Sequence, residues 1–336
     1  MRYRIREIAA QAGLSAATVD RVLHGRGGVR ESTVREVRRA IGDLDRQRTQ
    51  LAVGGRTYLI DVVVQAPPRF GAAVRAALEA ELPELRPAVI RARFHLTPTD
   101  IPAELARAAR TGSHGVILKA PDVPAVAAAV DTLDIPVVTL VTDLPGSRRV
   151  AYVGIDNHAA GATAAYLIEQ WLGDRPGDVL VVHGGGAYHG EDERDAGFRA
   201  EMTRRLIDVV DAEDRPGAVH AATRAALGAH PGIRAVYSMY AGAGGTTAVL
   251  DAFRAAGRAD PAVFVAHDLD GDNTPLLRQR RLSAVLHHDL RQDMRRACHA
   301  LLRARKALPG PIRSNPSAIQ VITPHNAPPV MFGPDP

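Results

Sequence analysis

The sequence predicts an α/β protein: a three-helix head of the helix-turn-helix kind joined to a two-lobed body of doubly wound parallel sheets. Three observations predict it. Residues 5–44 contain three short stretches with apolar residues at helical spacing, interrupted by glycine. From Tyr58 onward, short apolar runs alternate with helical stretches of about 10–15 residues, the pattern of a parallel sheet. The charge is also uneven. Residues 1–50 hold eleven arginines against Glu7, Asp20, Glu31, Glu36, Asp43 and Asp45, and this local excess equals the whole chain's net charge of +5. A basic head beside a neutral body suits a small module facing phosphates and a larger one with another partner.

At 336 residues, with 46% hydrophobic, 24% charged and 4% aromatic side chains, the chain is too apolar for disorder and too interrupted for a membrane protein. Its length suits two or three domains at about 100–200 residues each. One cysteine, Cys298, allows no internal disulfide, and no charged-then-apolar leader follows Met1, so a cytosolic protein is expected.

In the head, IREIAAQA places Ile5, Ile8, Ala9 and Ala12 on one helix face, and Gly13 breaks it. Ser15 is a natural N-cap for a second helix with Val19, Val22 and Leu23 on its apolar side, ended by Gly25, Gly27 and Gly28. A third begins near Ser32 and buries Val34, Val37, Ala40, Ile41 and Leu44. Helix, glycine-containing turn and helix make the motif whose second helix enters the major groove.

The stretch IREIAAQAGLSAATVDRVLHGRGGV resembles the N-terminus of LacI/GalR-type transcriptional regulators. The resemblance implies that Ser15, Ala16, Ala17, Thr18 and Arg21 face DNA, with Arg26 beside them. Ala16 and Ala17 offer methyl contacts to thymine and no bidentate hydrogen bonds, so Arg21 is the candidate for a guanine. Asp20 departs from the family's serine; it would repel phosphate unless it pairs with an arginine or accepts from cytosine. After the head, DLDRQRTQLAVGGRT lacks the proline and asparagine of the family hinge, and Gly55 falls on the family's minor-groove leucine. Leu51 is either a displaced wedge or a core cap.

In the body, YLIDVVVQ, AVIRARF, GVILKA and PVVTLV read as strands separated by helices, and a second series follows YVGIDN. The second series reads as helix AAGATAAYLIEQWL, strand DVLVVHG, helix EDERDAGFRAEMTRRL, strand AVYSMY, helix GGTTAVLDAFRAA, strands AVFVAHD and SAVLHH, and helix DMRRACHALLRA. Ligands of such folds sit beyond the carboxyl ends of the strands, here in a cleft between lobes. The expected division is a DNA-binding head over 1–45, a linker over 46–57 and an effector-binding and dimerisation body over 58–336. Its chain is expected to cross between lobes near 155–160 and again near 285–320.

The body resembles the same family, and hence the sugar-binding periplasmic proteins, through YVGIDNHAAG, ERDAGF, VFVAHD and LSAVLHHDL. That resemblance implies a periplasmic-binding-protein-like fold. It puts Phe70 at the aromatic that stacks on a pyranose, Arg194 at the arginine for sugar hydroxyls and Asp268 at the carboxylate accepting from two of them. His287 falls near a polar glutamine, with His288 if the register slips by one. Thr142 and Asp143 stand where the first lobe adds polar contacts, and Tyr240 replaces an asparagine, which suggests an effector other than a standard hexose. The chemistry coheres, because hydroxyls that donate and accept need carboxylate, guanidinium and aromatic partners. Asp156 and Asn157 read as a helix cap.

Other motifs lead elsewhere. HGGG at 183–186 looks like an esterase oxyanion loop, but the G-x-S-x-G elbow is missing. GGGAYHG fails the dinucleotide fingerprint, and Asp268, Asp270, Gly271 and Asp272 lack the spacing of a calcium loop. No metal or cofactor is expected, and no enzyme, since only Asp268 stands out where a paired acid and base are needed. The expected protein is a regulator, a repressor by preference, binding a palindromic operator as a homodimer under control of a carbohydrate-like effector. The alternative is a solute-binding protein that never touches DNA; the basic head argues against it.

Overall fold

A computed structural model describes residues 3–26, 28–46, 56–96, 99–185, 188–211, 215–239 and 244–328. Leu51, with the rest of the atypical linker, and Tyr240 lie outside the described residues. The chain forms two compact units, residues 1–154 with 289–316, and residues 155–288 with 317–336.

The first unit begins with the head. Helix α1 (Ile5–Ala12) starts where the Glu7 carboxylate accepts from the Arg4 N–H at 2.9 Å, and stops at Gly13, whose φ of 66° is left-handed. Helix α2 (Ala16–Leu23) is capped by Ser15, which accepts from the Thr18 N–H, and α3 (Glu31–Arg46) follows. Ile8, Ala9, Ala12, Val19, Val37, Ala40 and Leu44 close on one another as a small core. These are the residues that the helical spacing selects.

The chain then runs β1 (Thr57–Val64), α4 (Pro68–Glu81), β2 (Val89–Leu96), α5 (Ile101–Arg110), β3 (Gly115–Lys119), α6 (Pro124–Asp131), β4 (Val137–Leu140) and β5 (Ala151–Val153). The sheet order is β2-β1-β3-β4-β5, parallel throughout. Its buried strands read as near-continuous Val, Ile and Leu because helices cover both faces.

The second unit runs α7 (Asn157–Leu172), β6 (Asp178–Gly184), α8 (His189–Glu201), β7 (Leu206–Asp211), α9 (Pro216–Ala229), β8 (Ile233–Ser238), α10 (Gly245–Ala255), β9 (Val263–His267), α11 (Asn273–Arg278) and β10 (Ala284–His287). Helix α12 (Leu290–Ala304) returns to the first unit and β11 (Gln320–Ile322) to the second. The second sheet has the order β11-β10-β9-β8-β6-β7, parallel except for the antiparallel β10–β11 pair.

Five elements depart from the sequence expectation: α8 by its end, and β7, α9, α11 and β11 by their presence. The helix expected to continue through Leu206 ends at Glu201, and β7 and α9 follow where no element was expected. Phe198, Met202 and Leu206 stand four apart, so helical periodicity runs on past the true end. Strand β7 is an edge strand whose Asp208 and Asp211 dilute its apolar alternation, and β11 has three residues in a proline-rich tail.

Candidate DNA-contacting and effector sites

On α2, Ser15, Ala16, Ala17 and Arg21 are exposed and Thr18 is half-buried, while Val19 faces the core. Ser15 and Thr18 also join their hydroxyls at 2.8 Å. Asp20 has a partner: Arg26 donates to it at 2.9 Å, and His24 lies 3.0 Å away. The carboxylate thus has a cationic partner within the head in Arg26, the pairing that the sequence left open for it.

In the second unit the sequence-selected residues gather at the carboxyl ends of the strands. Arg194, on α8, is 7% exposed; its Nε donates to Asn157 Oδ1 at 2.7 Å and its Nη1 to the Met239 carbonyl just past β8. Asp156 caps α7, accepting from the Ala159 N–H at 2.8 Å. Asn157, read from sequence as part of that cap, is instead buried and holds the guanidinium. Two glycines permit this. A Cβ on Gly161 would lie 1.9 Å from the Arg194 carbonyl oxygen and one on Gly197 would lie 2.0 Å from that of His158, so α7 and α8 touch backbone to backbone.

Asp268 follows β9 with φ at 63°, a left-handed conformation that costs energy for a residue with a Cβ. Asn273 holds it there, its amide donating to the His267 carbonyl at 2.9 Å and the Asp268 carbonyl at 2.8 Å. The Asp268 side chain is 40% exposed, with His288 Nε2 3.8 Å away. Burial pushes its carboxyl up, but the nearby His288 and Arg194 outweigh that and leave it below the ordinary carboxylate range. His287 ends β10 and its Nδ1 accepts from the Leu269 N–H at 3.3 Å. His288 is the deeply buried neighbour. His267 bonds the Tyr237 hydroxyl at 2.8 Å, and burial drives its pKa well down, so it is neutral. The run from Asp268 to Asp272 is a turn, with Asp270 accepting from the N–H groups of Asp272 and Asn273.

In the first unit, Phe70 lies in the first turn of α4, with Lys119 Nζ 5.4 Å from its ring centroid. Thr142 is buried beyond β4, next to Val141, whose φ of 67° is again left-handed in a non-glycine residue. Asp143 spends both oxygens on Arg149, at 2.6 Å each, and accepts from Thr139. Each unit thus keeps one strained, non-glycine residue just past a strand, a feature that concentrates at ligand sites. Sequence reasoning took Asn157 only for a cap and missed Asn273 and the Tyr237–His267 pair. Gly161 and Gly197, which let α7 and α8 approach, are the trace in the sequence of the Asn157–Arg194 contact.

Among the described residues no group of three or more His, Cys, Asp or Glu forms a metal site, and no described helix is long and apolar enough to cross a membrane.

Two sheets of this topology, each with its polar residues at the strand ends, define a ligand-binding body of the periplasmic type. A family model, "Periplasmic binding protein domain", matches residues 69–307, and a second, "Bacterial regulatory proteins, lacI family", matches residues 4–46. The chain belongs to the periplasmic binding protein domain family, and with its lacI-type head it has the LacI/GalR architecture.

Solved structures share the body's fold. GanP, a glucose-galactose binding protein from Geobacillus stearothermophilus, is 19% identical with a TM-score of 0.71, over 81% of this chain and 99% of its own. A solute-binding protein from Burkholderia graminis C4D1M in complex with D-arabinose is 16% identical with a TM-score of 0.70, over 80% and 96%. A carbohydrate transporter from Acidothermus cellulolyticus 11B in complex with myo-inositol is 17% identical with a TM-score of 0.70, over 81% and 96%. No curated protein gives a significant match.

Proposed function

We propose that the chain is a sequence-specific DNA-binding transcriptional regulator, a repressor acting as a homodimer on a palindromic operator in the cytoplasm, and not an enzyme. The observation that carries it is the lacI-type head with Ser15, Ala16, Ala17 and Arg21 presented on the exposed side of α2. Dimerisation doubles the contact area and sets two half-sites at helical spacing.

The controlling ligand is a small polyhydroxy compound. Asp268 accepts from its hydroxyls and the Nη2 group of Arg194, which takes no partner among the described residues, donates to it, with the imidazole of His287 as a further polar contact. Phe70, Thr142 and Asp143 of the first unit, and Tyr240, are proposed as further effector residues on the family resemblance alone. Asp143 serves in addition as the partner of Arg149. The ligand and the operator are linked reciprocally, each changing the affinity for the other.

Selection of binding sequences from a random duplex library tests the head. The wild-type protein should enrich a two-fold-symmetric sequence and Arg21→Ala should enrich none, a loss of about 1–3 kcal/mol of discrimination per guanine contact. An unchanged sequence from Arg21→Ala overturns the assignment. A thermal-shift panel of sugars, polyols and sugar acids tests the body, since a ligand that binds only the folded state raises the midpoint with concentration. Asp268→Ala should abolish the shift while leaving operator selection intact.

A further inference from the structure

The head lies against the first sheet. Strand β2 is the outer strand of that sheet, and the head covers it. Gln11 Nε2 donates to the Ala92 carbonyl at 2.6 Å. In return, Arg93 Nη1 reaches the Ala10 carbonyl and Arg107 Nη2 the Ala12 carbonyl, both at 3.2 Å. Both carbonyls belong to the last turn of α1, where the dipole is negative; the Gly13 N–H also reaches that of Ala10, and the body's guanidiniums add to the cap. Arg93 is 4% exposed and held from behind: its Nε donates to Asp61 at 2.9 Å, and His95 Nε2 lies 2.6 Å from the same fully buried carboxylate.

Charge follows the same division. Glu7 meets Arg91 at 3.0 Å, Glu36 meets Arg107 at 3.3 Å and Asp43 meets Arg75 at 2.6 Å. These are three of the six acids within residues 1–50. The other three find partners inside the head, Asp20 with Arg26, Glu31 with Arg35 and Asp45 with the Tyr3 hydroxyl. Arg21, Arg30, Arg38 and Arg39 are all exposed. Half of the head's acids are thus turned toward arginines of the body, while Arg21, Arg30 and Arg38 stay exposed, a division of charge that fits a docked head.

We propose that the outer strand of the first sheet is a docking surface for the chain's own head, which carries α2 outward as a fixed part of the first unit. Docking gives the chain a connection that its linker, without the family's hinge residues, does not encode. It also supplies a route for the ligand signal. Arg75, the partner of Asp43, sits on α4, the helix whose first turn holds Phe70. A shift of α4 at Phe70 moves Arg75 and is felt in α3. That last step rests on the effector role proposed for Phe70; the docking does not.

Time-resolved fluorescence anisotropy tests the docking. Cys298 is the chain's one cysteine and is buried, so Ser32→Cys, exposed on α3, takes a dye on the head alone. Arg93→Ala would strand the Asp61 charge and threaten the fold, so the interface is better opened with Gln11→Met and Arg75→Gln together. In the labelled parent, head and body should share one long correlation time beyond the dye's local motion. The double variant should add a shorter one, and Arg35→Gln, outside the interface, should not. A short correlation time in the parent, or none in the double variant, overturns the proposal. Neither DNA nor ligand is used, so either result leaves the proposed DNA binding standing.

Discussion

Single residues gain their roles here from a partner that holds them. Asn157→Ala removes the acceptor of the Arg194 Nε–H and leaves a buried donor unmet, which costs about 1–3 kcal/mol. The expected result is a lower thermal midpoint and a weakened response to whichever ligand raises the wild-type midpoint, with operator selection unchanged. His95 gives a pH dependence. Burial works against its imidazolium, but Asp61 and Glu104 outweigh it and raise the pKa above the ordinary value near 6.5. A raised histidine contributes stability that is fully present below pH 6.5 and is lost as pH rises through the folded-state value. Asp61 is held below its ordinary value, burial being outweighed by His95 and Arg93, so its contribution is lost only in acid. The wild-type melting midpoint should therefore fall more steeply above pH 6.5 than that of His95→Gln; parallel profiles would contradict the pairing.

At the scale of elements, the contact between α7 and α8 decides whether Asn157 meets Arg194, the arginine proposed to bind the ligand. Gly161→Ala and Gly197→Ala each drive a Cβ into a backbone carbonyl, at 1.9 and 2.0 Å, and neither carbonyl can move without its helix. Overpacking of this kind costs about 1–3 kcal/mol or more. Both variants should melt earlier and lose ligand-induced stabilisation together, while substitution of Gly217, which has open space around it, should do neither. The head's three helices were legible in sequence because spacing, Ser15 and Gly13 agree on their ends. The alternating body was legible for the same reason, its strands being continuous apolar runs. Strand β7 and helix α9 were not, because a helical period persists beyond Glu201 and an edge strand has little apolar surface to declare itself.

The whole chain is organised discontinuously. Helix α12, nearly 140 residues after β5 in sequence, fills one face of the first sheet with Met294, Ala297, Cys298, Leu301 and Leu302. Arg291 and Arg295 on its flank neutralise Glu81, which is 1% exposed. A fragment ending at residue 154 leaves that apolar face and that carboxylate uncovered, and it should bind a hydrophobic dye and melt without cooperativity. The thiol of Cys298 reports the same packing. Burial pushes its pKa up to about 12, so a disulfide reagent should react only as fast as the unit opens. Rapid labelling of the native protein would show α12 to be loosely held.

The sequence by itself determined much of the local order: the ends of the head's helices, which residues face a core, most of the alternating strands and helices of the body and where the excess charge lies. Periods of 3.6 and 2, caps and glycine breaks are written within a few residues of the structure they specify. It also singled out Arg194 and Asp268 through a family resemblance. Only the tertiary structure decided that Asn157 orients Arg194, that Asn273 holds Asp268 in a left-handed backbone, that Arg26 answers Asp20 and that the head's acids meet arginines of the body. The Asn157–Arg194 and head–body pairings join residues more than thirty positions apart, and the two shorter ones depend on turns that no helical or strand period records.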